Sequence, residues 1–335
     1  FTVICVAATS MLWFTTPDAS MTLWALVFVA IANFAFEMGM VFYNSMLPGL
    51  VDKSRIGRVS GWGWGLGYAG GLACLALALV GLVQAETPWF GLDRENAEHL
   101  RATAPLAAAW LAVFSIPLFW LTPDAPGRGL GLAEAVRQGL GDLMTTLGKI
   151  RDHANIARFL LARMIYTDGL NTLFAFGGIY AAGTFGMDFS ELIVFGIAIN
   201  LTAGLGAAGF AWADDRFGPK RVIMISVAGL TVLGGCLLVV QSKTMFWVFG
   251  LPLGIFVGPA QAASRSMMAR LAPRPLVTEM FGLYALSGKA SAFAGPALLA
   301  WATTAFASQR AGMATILIFF VAGLVLLLPV SDTRR

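Results

Sequence analysis

The chain has 335 residues, 58% of them hydrophobic and 12% charged, against about 25% charged in an ordinary soluble domain. Its net charge is only +4, and the basic residues are spread between long apolar runs, which excludes a nucleic-acid surface. The same composition excludes a soluble globular domain and predicts an all-α, polytopic membrane protein, because a backbone facing lipid must satisfy its own hydrogen bonds and these runs are too long and apolar for barrel strands.

Segments long enough to cross a bilayer fall at about 1–14, 21–46, 59–84, 104–122, 156–181, 189–212, 222–241, 245–263, 279–303 and 311–330, ten spans in all. The connecting segments alternate in charge. Lys53, Arg55 and Arg58, then Arg128, Arg137, Lys149, Arg151 and Arg158, then Arg216, Lys220 and Arg221, then Arg265, Arg270 and Arg274, and finally Arg334 and Arg335 mark one side, while the other holds Arg94, Arg101, Lys243 and Arg310. The richer side is expected to be cytoplasmic, with the C-terminus inside.

In chain order, the second span carries Asn33, Glu37, Met40 and Asn44 at helical spacing, a stripe expected to face the bundle interior. The third contains Gly65, Gly67 and Gly70, a formal G-x-G-x-x-G. No strand precedes it, so a dinucleotide site is not expected, and Gly63-x-x-x-Gly67 with its neighbours reads as a face for close helix packing. Between 131 and 159, Leu132, Val136, Leu140, Leu143, Leu147 and Ile150 recur on one face, which predicts an amphipathic helix on the cytoplasmic membrane surface. Cys5, Cys74 and Cys236 stand alone, and His99 and His153 lie in different loops, so neither a disulfide framework nor a metal site is expected, and no cofactor.

Ionisable residues inside apolar runs need a reason, since each costs roughly 2.5–3.5 kcal/mol at the bilayer centre on the insertion scale. Glu37 is one. Arg163 and Asp168 lie in the span 156–181, where Asp168 shares a face with Asn171, and Lys289 lies in FGLYALSGKASAFAGP, residues 281–296. Two readings stand. Asp168 and Lys289 form a structural ion pair between helices, or some of these groups line a central cavity in which an acid and a base hold the two ends of a zwitterion. Arg163 is expected to snorkel to the interface or to pair with a cytoplasmic carboxylate.

The chain also repeats. A shift of 221 residues sets Asn44-Ser45-Met46-Leu47 against Arg265-Ser266-Met267-Met268, Gly61 against Gly282 and Gly67 against Gly288 without a gap. The expected organisation is an N-terminal half over 1–122 with four spans, a linker over 123–155 and a C-terminal half over 156–335 with six. Two helices of the first half are then expected to be missing before Phe1.

Before the seventh span comes DDRFGPKR, residues 214–221. Asp215 can accept from a neighbouring helix N-terminus, Gly218 permits a tight turn, and Lys220 and Arg221 stay on the cytoplasmic face. This D-x-x-G-x-K-R pattern resembles the loop signature of the major facilitator superfamily. SRIGRVSGWGWGLGYAGG (54–71), RMIYTDGLNTLFAFGGIYA (163–181), QAASRSMMARLAPRP (261–275) and FGLYALSGKASAFAGP are similar to the branch of that superfamily containing the autophagy-related vacuolar amino-acid effluxers and their bacterial relatives. The resemblance implies two six-helix halves, no enzymatic activity, and transport by alternating access. Its candidate binding or coupling residues are Asp168, Lys289, Asn171, Glu37, Asn33, Asn44 and Arg163, and its gate loop is Asp215, Gly218, Lys220 and Arg221. The expected partners are the bilayer, a small-molecule substrate of the amino-acid kind, and protons as a candidate coupling ion. The expected state is a monomer in a bacterial inner membrane. The alternatives are a proton-coupled exporter of another small metabolite and a non-transporting receptor or scaffold.

Overall fold

The computed structural model describes residues 1–123, 129, 131–148 and 150–331. Arg128, Lys149, Arg334 and Arg335, and the side chains of Leu132 and Arg151, lie outside that description, so the expected cytoplasmic C-terminus is not addressed by it. The described residues form helices and no strands: α1 Thr2–Met11, α2 Thr22–Leu50, α3 Ile56–Ala78, α4 Glu98–Arg101, α5 Thr103–Leu121, α6 Leu132–Gly148, α7 Ala154–Phe185, α8 Phe189–Phe217, α9 Pro219–Val239, α10 Lys243–Leu271, α11 Val277–Ser287, α12 Ala294–Ala305 and α13 Gln309–Leu327.

Among the described residues, 7 helices are long and apolar enough to cross a membrane, against the ten spans expected. The difference has local causes. The segment 2–14 is a shorter apolar helix. The 32-residue α7 carries Arg158, Arg163 and Asp168 within an otherwise apolar length. The expected span 279–303 is divided into α11 and α12.

Helix ends are satisfied locally. Asp188 and Glu191 form a reciprocal capping box at the start of α8, and Ser242 and Ser308 cap α10 and α13. The carbonyls ending α9 are covered by Arg310, whose Nη1 and Nη2 donate to Leu238 O and Val240 O at 2.8 and 2.7 Å. At the α8–α9 turn Gly218 has φ 92, a value an L side chain resists, and Pro219 then starts α9 at a position that needs no N–H.

The chain packs as two compact units, one of Phe1–Tyr43 with Gly70–Leu130 and one of Asn44–Ala69 with Gly131–Arg335. In the first, Arg101 ties α4 to the segment after α1, donating to Trp13 O at 2.7 Å with its guanidinium 5.0 Å from the Trp13 ring. In the second, α10 packs against α8 and α9, and α13 against α7. Here α3 meets α8 through small residues. A Cβ on Gly61 would lie 2.6 Å from Ala207 O and one on Gly65 3.2 Å from Gly204 O, whereas Gly67 has open space around it. The close-packing face expected around Gly63 and Gly67 therefore centres on Gly61 and Gly65, one helical turn apart.

The amphipathic segment is a helix, α6, and Val136, Leu140 and Leu147 are exposed on it. Gly282 of α11 lies beside its Leu143.

Candidate functional site

Two constellations in the second unit hold most of the polar residues singled out above. The first is built on the 214–221 turn. The Asp215 carboxylate accepts from Gly57 N at 2.8 Å and Arg58 N at 3.2 Å, the first amides of α3, and from Arg58 Nε and Arg270 Nη2, both at 2.9 Å. A carboxylate on a helix N-terminus meets free N–H donors and the positive end of the helix dipole together. Beside it, Asp214, 3% exposed, accepts from Ser266 Oγ at 3.0 Å, and Arg270 Nη1 donates to Lys53 O at 2.6 Å. Charges taken this far out of water persist only when paired and hydrogen-bonded, and these are both.

One turn further into α10, Arg265 is 5% exposed and donates to Ser60 Oγ at 2.9 Å, Ser60 O at 2.7 Å and Asn44 Oδ1 at 3.4 Å. Arg265 and Arg270 were read as loop charges; both lie inside α10, which runs to Leu271. Arg58, Ser60, Ser266, Arg265 and Arg270 were missed as site residues. The repeat register held a signal for one contact, because Asn44 and Arg265 are the equivalent positions of that register and they touch. Elsewhere on the turn, Lys220 Nζ donates to Leu328 O at 2.8 Å and Arg221 is exposed.

The second constellation joins α7 to the interrupted helix. Asp168 is 1% exposed; one carboxylate oxygen accepts from Gly295 N at 3.3 Å and the other has no hydrogen-bond partner. Thr172 Oγ1 donates to Asp168 O at 2.8 Å. Asn171 Nδ2 donates to Gly288 O at 3.4 Å. Arg163 neither snorkels nor pairs with a carboxylate. Its Nη1 donates to Tyr284 O at 2.6 Å and Ser287 Oγ at 2.8 Å, and its guanidinium lies 3.5 Å from the Tyr284 ring centroid. The reason is geometric: the guanidinium stacks on a ring with a carbonyl and a hydroxyl in reach of Nη1, although its buried Nε has no hydrogen-bond partner. Lys289 is exposed, within the six-residue interruption that carries these contacts. A direct hydrogen bond to Lys289 is not among the contacts of Asp168, whose bonded oxygen is engaged by the backbone. On α2, Asn33 is exposed and Glu37 half-buried, both in the first unit, while Asn44 belongs to the second.

The second unit also encloses a cavity of about 310 Å³ lined by Phe174, Tyr180, Phe195, Asn200, Phe246 and Phe320 among others. It contains none of the charged candidates. Among the described residues no cluster of three or more His, Cys, Asp or Glu side chains suits a metal ion.

Solved structures with this fold are transporters of the major facilitator superfamily. The proton:xylose symporter XylE superposes with a TM-score of 0.74 at 11% identity, covering 99% of this chain and 79% of that one. The E. coli fucose:proton symporter FucP superposes with a TM-score of 0.73 at 12% identity, covering 98% and 82%. The chain belongs to the family described as Vacuole effluxer Atg22 like, whose model matches residues 1–335. Within it, the chain is 26% identical to the uncharacterized MFS-type transporter YxiO of Bacillus subtilis over 98% of its own length and 75% of that protein. It is 24% identical to Autophagy-related protein 22 of Cryptococcus neoformans over 83% of its own length and 51% of that one, and so spans about half of that fungal relative. It is thus an integral membrane protein of a transporter family.

Proposed function

We propose that this chain is a secondary active transporter that moves amino acids or similar small zwitterions by alternating access. The observation that carries the substrate class is the placement of a buried acid, Asp168, and an exposed base, Lys289, at one interruption of a membrane helix. Interrupted helices collect substrate and coupling-ion sites in transporters because their free backbone ends lie within the bilayer. The family's description as vacuole effluxer-like supports movement of a solute across the membrane, and the proton symporters among the structural neighbours support protons as the coupling ion.

Alternating access needs a contact between halves that opens and closes. We assign that role to the Asp215, Arg58 and Arg270 cluster, which joins the expected N-terminal half (1–122) to the C-terminal half (156–335) across the linker 123–155, with Gly218, Lys220 and Arg221 shaping the turn. The Asn44–Arg265 contact supports the two-half organisation, since equivalent positions meet on an axis of two-fold symmetry. A bacterial inner membrane, with the basic side cytoplasmic, completes the reading.

The test is flux in proteoliposomes holding the full-length protein, with radiolabelled amino acids offered singly and a proton gradient imposed or collapsed. Amino-acid counterflow abolished by Lys289→Ala is expected. Flux of other small metabolites but of no amino acid would move the assignment to an exporter of a different substrate. Folded protein with no flux of any solute would leave a receptor or scaffold with a transporter's fold.

A further inference from the structure

The interruption between α11 and α12 begins in the covalent chain. Pro296, in the first turn of α12, has no N–H, so the Ala292 carbonyl four residues back lacks its regular donor. The helix stops at Ser287 and restarts at Ala294. Between them the hydrogen bonds shorten by one residue: Gly288 N reaches Ala285 O at 3.1 Å, Ala292 N reaches Lys289 O at 3.2 Å and Ala294 N reaches Ser291 O at 2.7 Å.

That shift strips several backbone groups of their regular partners, and three of them lie within reach of α7. Tyr284 C=O loses the Gly288 amide, Gly288 C=O loses the Ala292 amide, and Gly295 N–H finds the Ser291 carbonyl taken. In a bilayer each such group costs several kcal/mol if left unpaired. Each of the three is met by a different side chain of α7. Arg163 takes the Tyr284 carbonyl, Asn171 takes the Gly288 carbonyl, and Asp168 accepts from Gly295 N. The charges also match the dipoles, with the guanidinium at the C-terminal end of α11 and the carboxylate at the N-terminal end of α12.

We propose that Arg163, Asp168 and Asn171 are positioning residues that clamp a proline-encoded hinge at Gly288–Phe293 and so fix the place of Lys289. The hinge stands as geometry whatever the substrate proves to be. It also explains why α7 tolerates Arg163 and Asp168 within its length without pairing them to each other.

The experiment is hydrogen–deuterium exchange on the full-length protein in nanodiscs, read over residues 284–295 with α9 as an internal reference. Arg163→Gln leaves the Tyr284 carbonyl short of a charged donor while the ladder stays interrupted, so exchange over 284–295 should rise about tenfold with α9 unchanged. Arg163→Lys, which keeps a cationic donor without the planar stack, should recover part of that protection. Pro296→Ala should act in the opposite direction, restoring the regular ladder and slowing exchange about tenfold. Should Arg163→Gln fail to fold, Asn171→Ala, which removes the longest of the three bonds, should raise exchange at Gly288–Ala292 by a smaller factor. The proposal is overturned if Pro296→Ala leaves exchange over 284–295 unchanged or faster, or if folded Arg163→Gln or Asn171→Ala leaves it at the wild-type rate.

Discussion

The helix α3 and the α11–α12 pair share one register of the internal repeat, 221 residues apart, yet α3 runs unbroken over Ile56–Ala78 and its counterpart stops at Ser287 and restarts at Ala294. The glycines at 61 and 67 have partners at 282 and 288 in that register, so glycine content does not separate the two. One difference is Pro296, which stands where α3 has Leu75, although Pro48, Pro117, Pro252 and Pro259 lie within unbroken helices. Their starts differ too. The first amides of α3 rest on the Asp215 carboxylate, whereas α11 begins at Leu276 with no capping side chain. The repeated segment is thus continuous in one copy and interrupted in the other.

The sharpest way to break this comparison is to give α3 the same proline. Leu75→Pro removes an interior hydrogen bond at a residue that is 45% exposed, so packing loss contributes little, and the helix cost of about 3 kcal/mol or more should appear in full. Denaturation in mixed detergent should show a protein that is barely folded. Asp215→Ala comes next. It removes the nearer of the two carboxylates on Arg270, leaving Asp214 at 3.5 Å, and uncovers the start of α3, for a loss of roughly 3 kcal/mol by the same assay.

Two smaller substitutions sharpen the contrast at equivalent positions. Gly61→Ala drives a Cβ to 2.6 Å from a backbone carbonyl of α8 and should cost about 1–3 kcal/mol. Gly282→Ala meets only Leu143 Cδ1 at 3.5 Å, and with alanine's better helix propensity it should change stability by less than about 1 kcal/mol, in the stabilising direction. Equal losses at the two positions, measured as unfolding midpoints side by side, would mean that packing around the copies does not differ as described. The smallest effect is expected at the exposed Lys243–Glu191 pair, where the side chains are 41% and 32% exposed. Glu191→Gln should shift the unfolding midpoint only slightly, and less still as salt is raised.

Much of this protein was legible from composition and spacing. The all-α membrane class follows from the length of the apolar runs, and the transporter family from motifs such as DDRFGPKR and the 221-residue register. Arg163, Asp168 and Lys289 stood out because an ionisable group in an apolar run is costly and therefore conspicuous. Pro296 was equally visible at the end of FAGP, but a proline alone says only that a helix is disturbed nearby, and a continuous span was expected there.

Which group meets which was settled by the fold. The sequence leaves Asp168 either paired with Lys289 or lining a cavity, and the fold adds a contact neither reading contains: one of its oxygens accepts from Gly295 N, whose regular acceptor, Ser291 O, is taken by Ala294 N. Arg163 was sent towards water and instead holds a carbonyl freed by the break between α11 and α12. Linear sequence displays side-chain charges but not the backbone donors and acceptors that a distorted helix releases, because every residue carries those groups and only the three-dimensional ladder shows which are unmet. The sequence by itself determined that polar groups would sit within apolar runs, and tertiary structure decided which backbone groups of α11 and α12 the α7 side chains reach, because that depends on where the ladder of a neighbouring helix is interrupted.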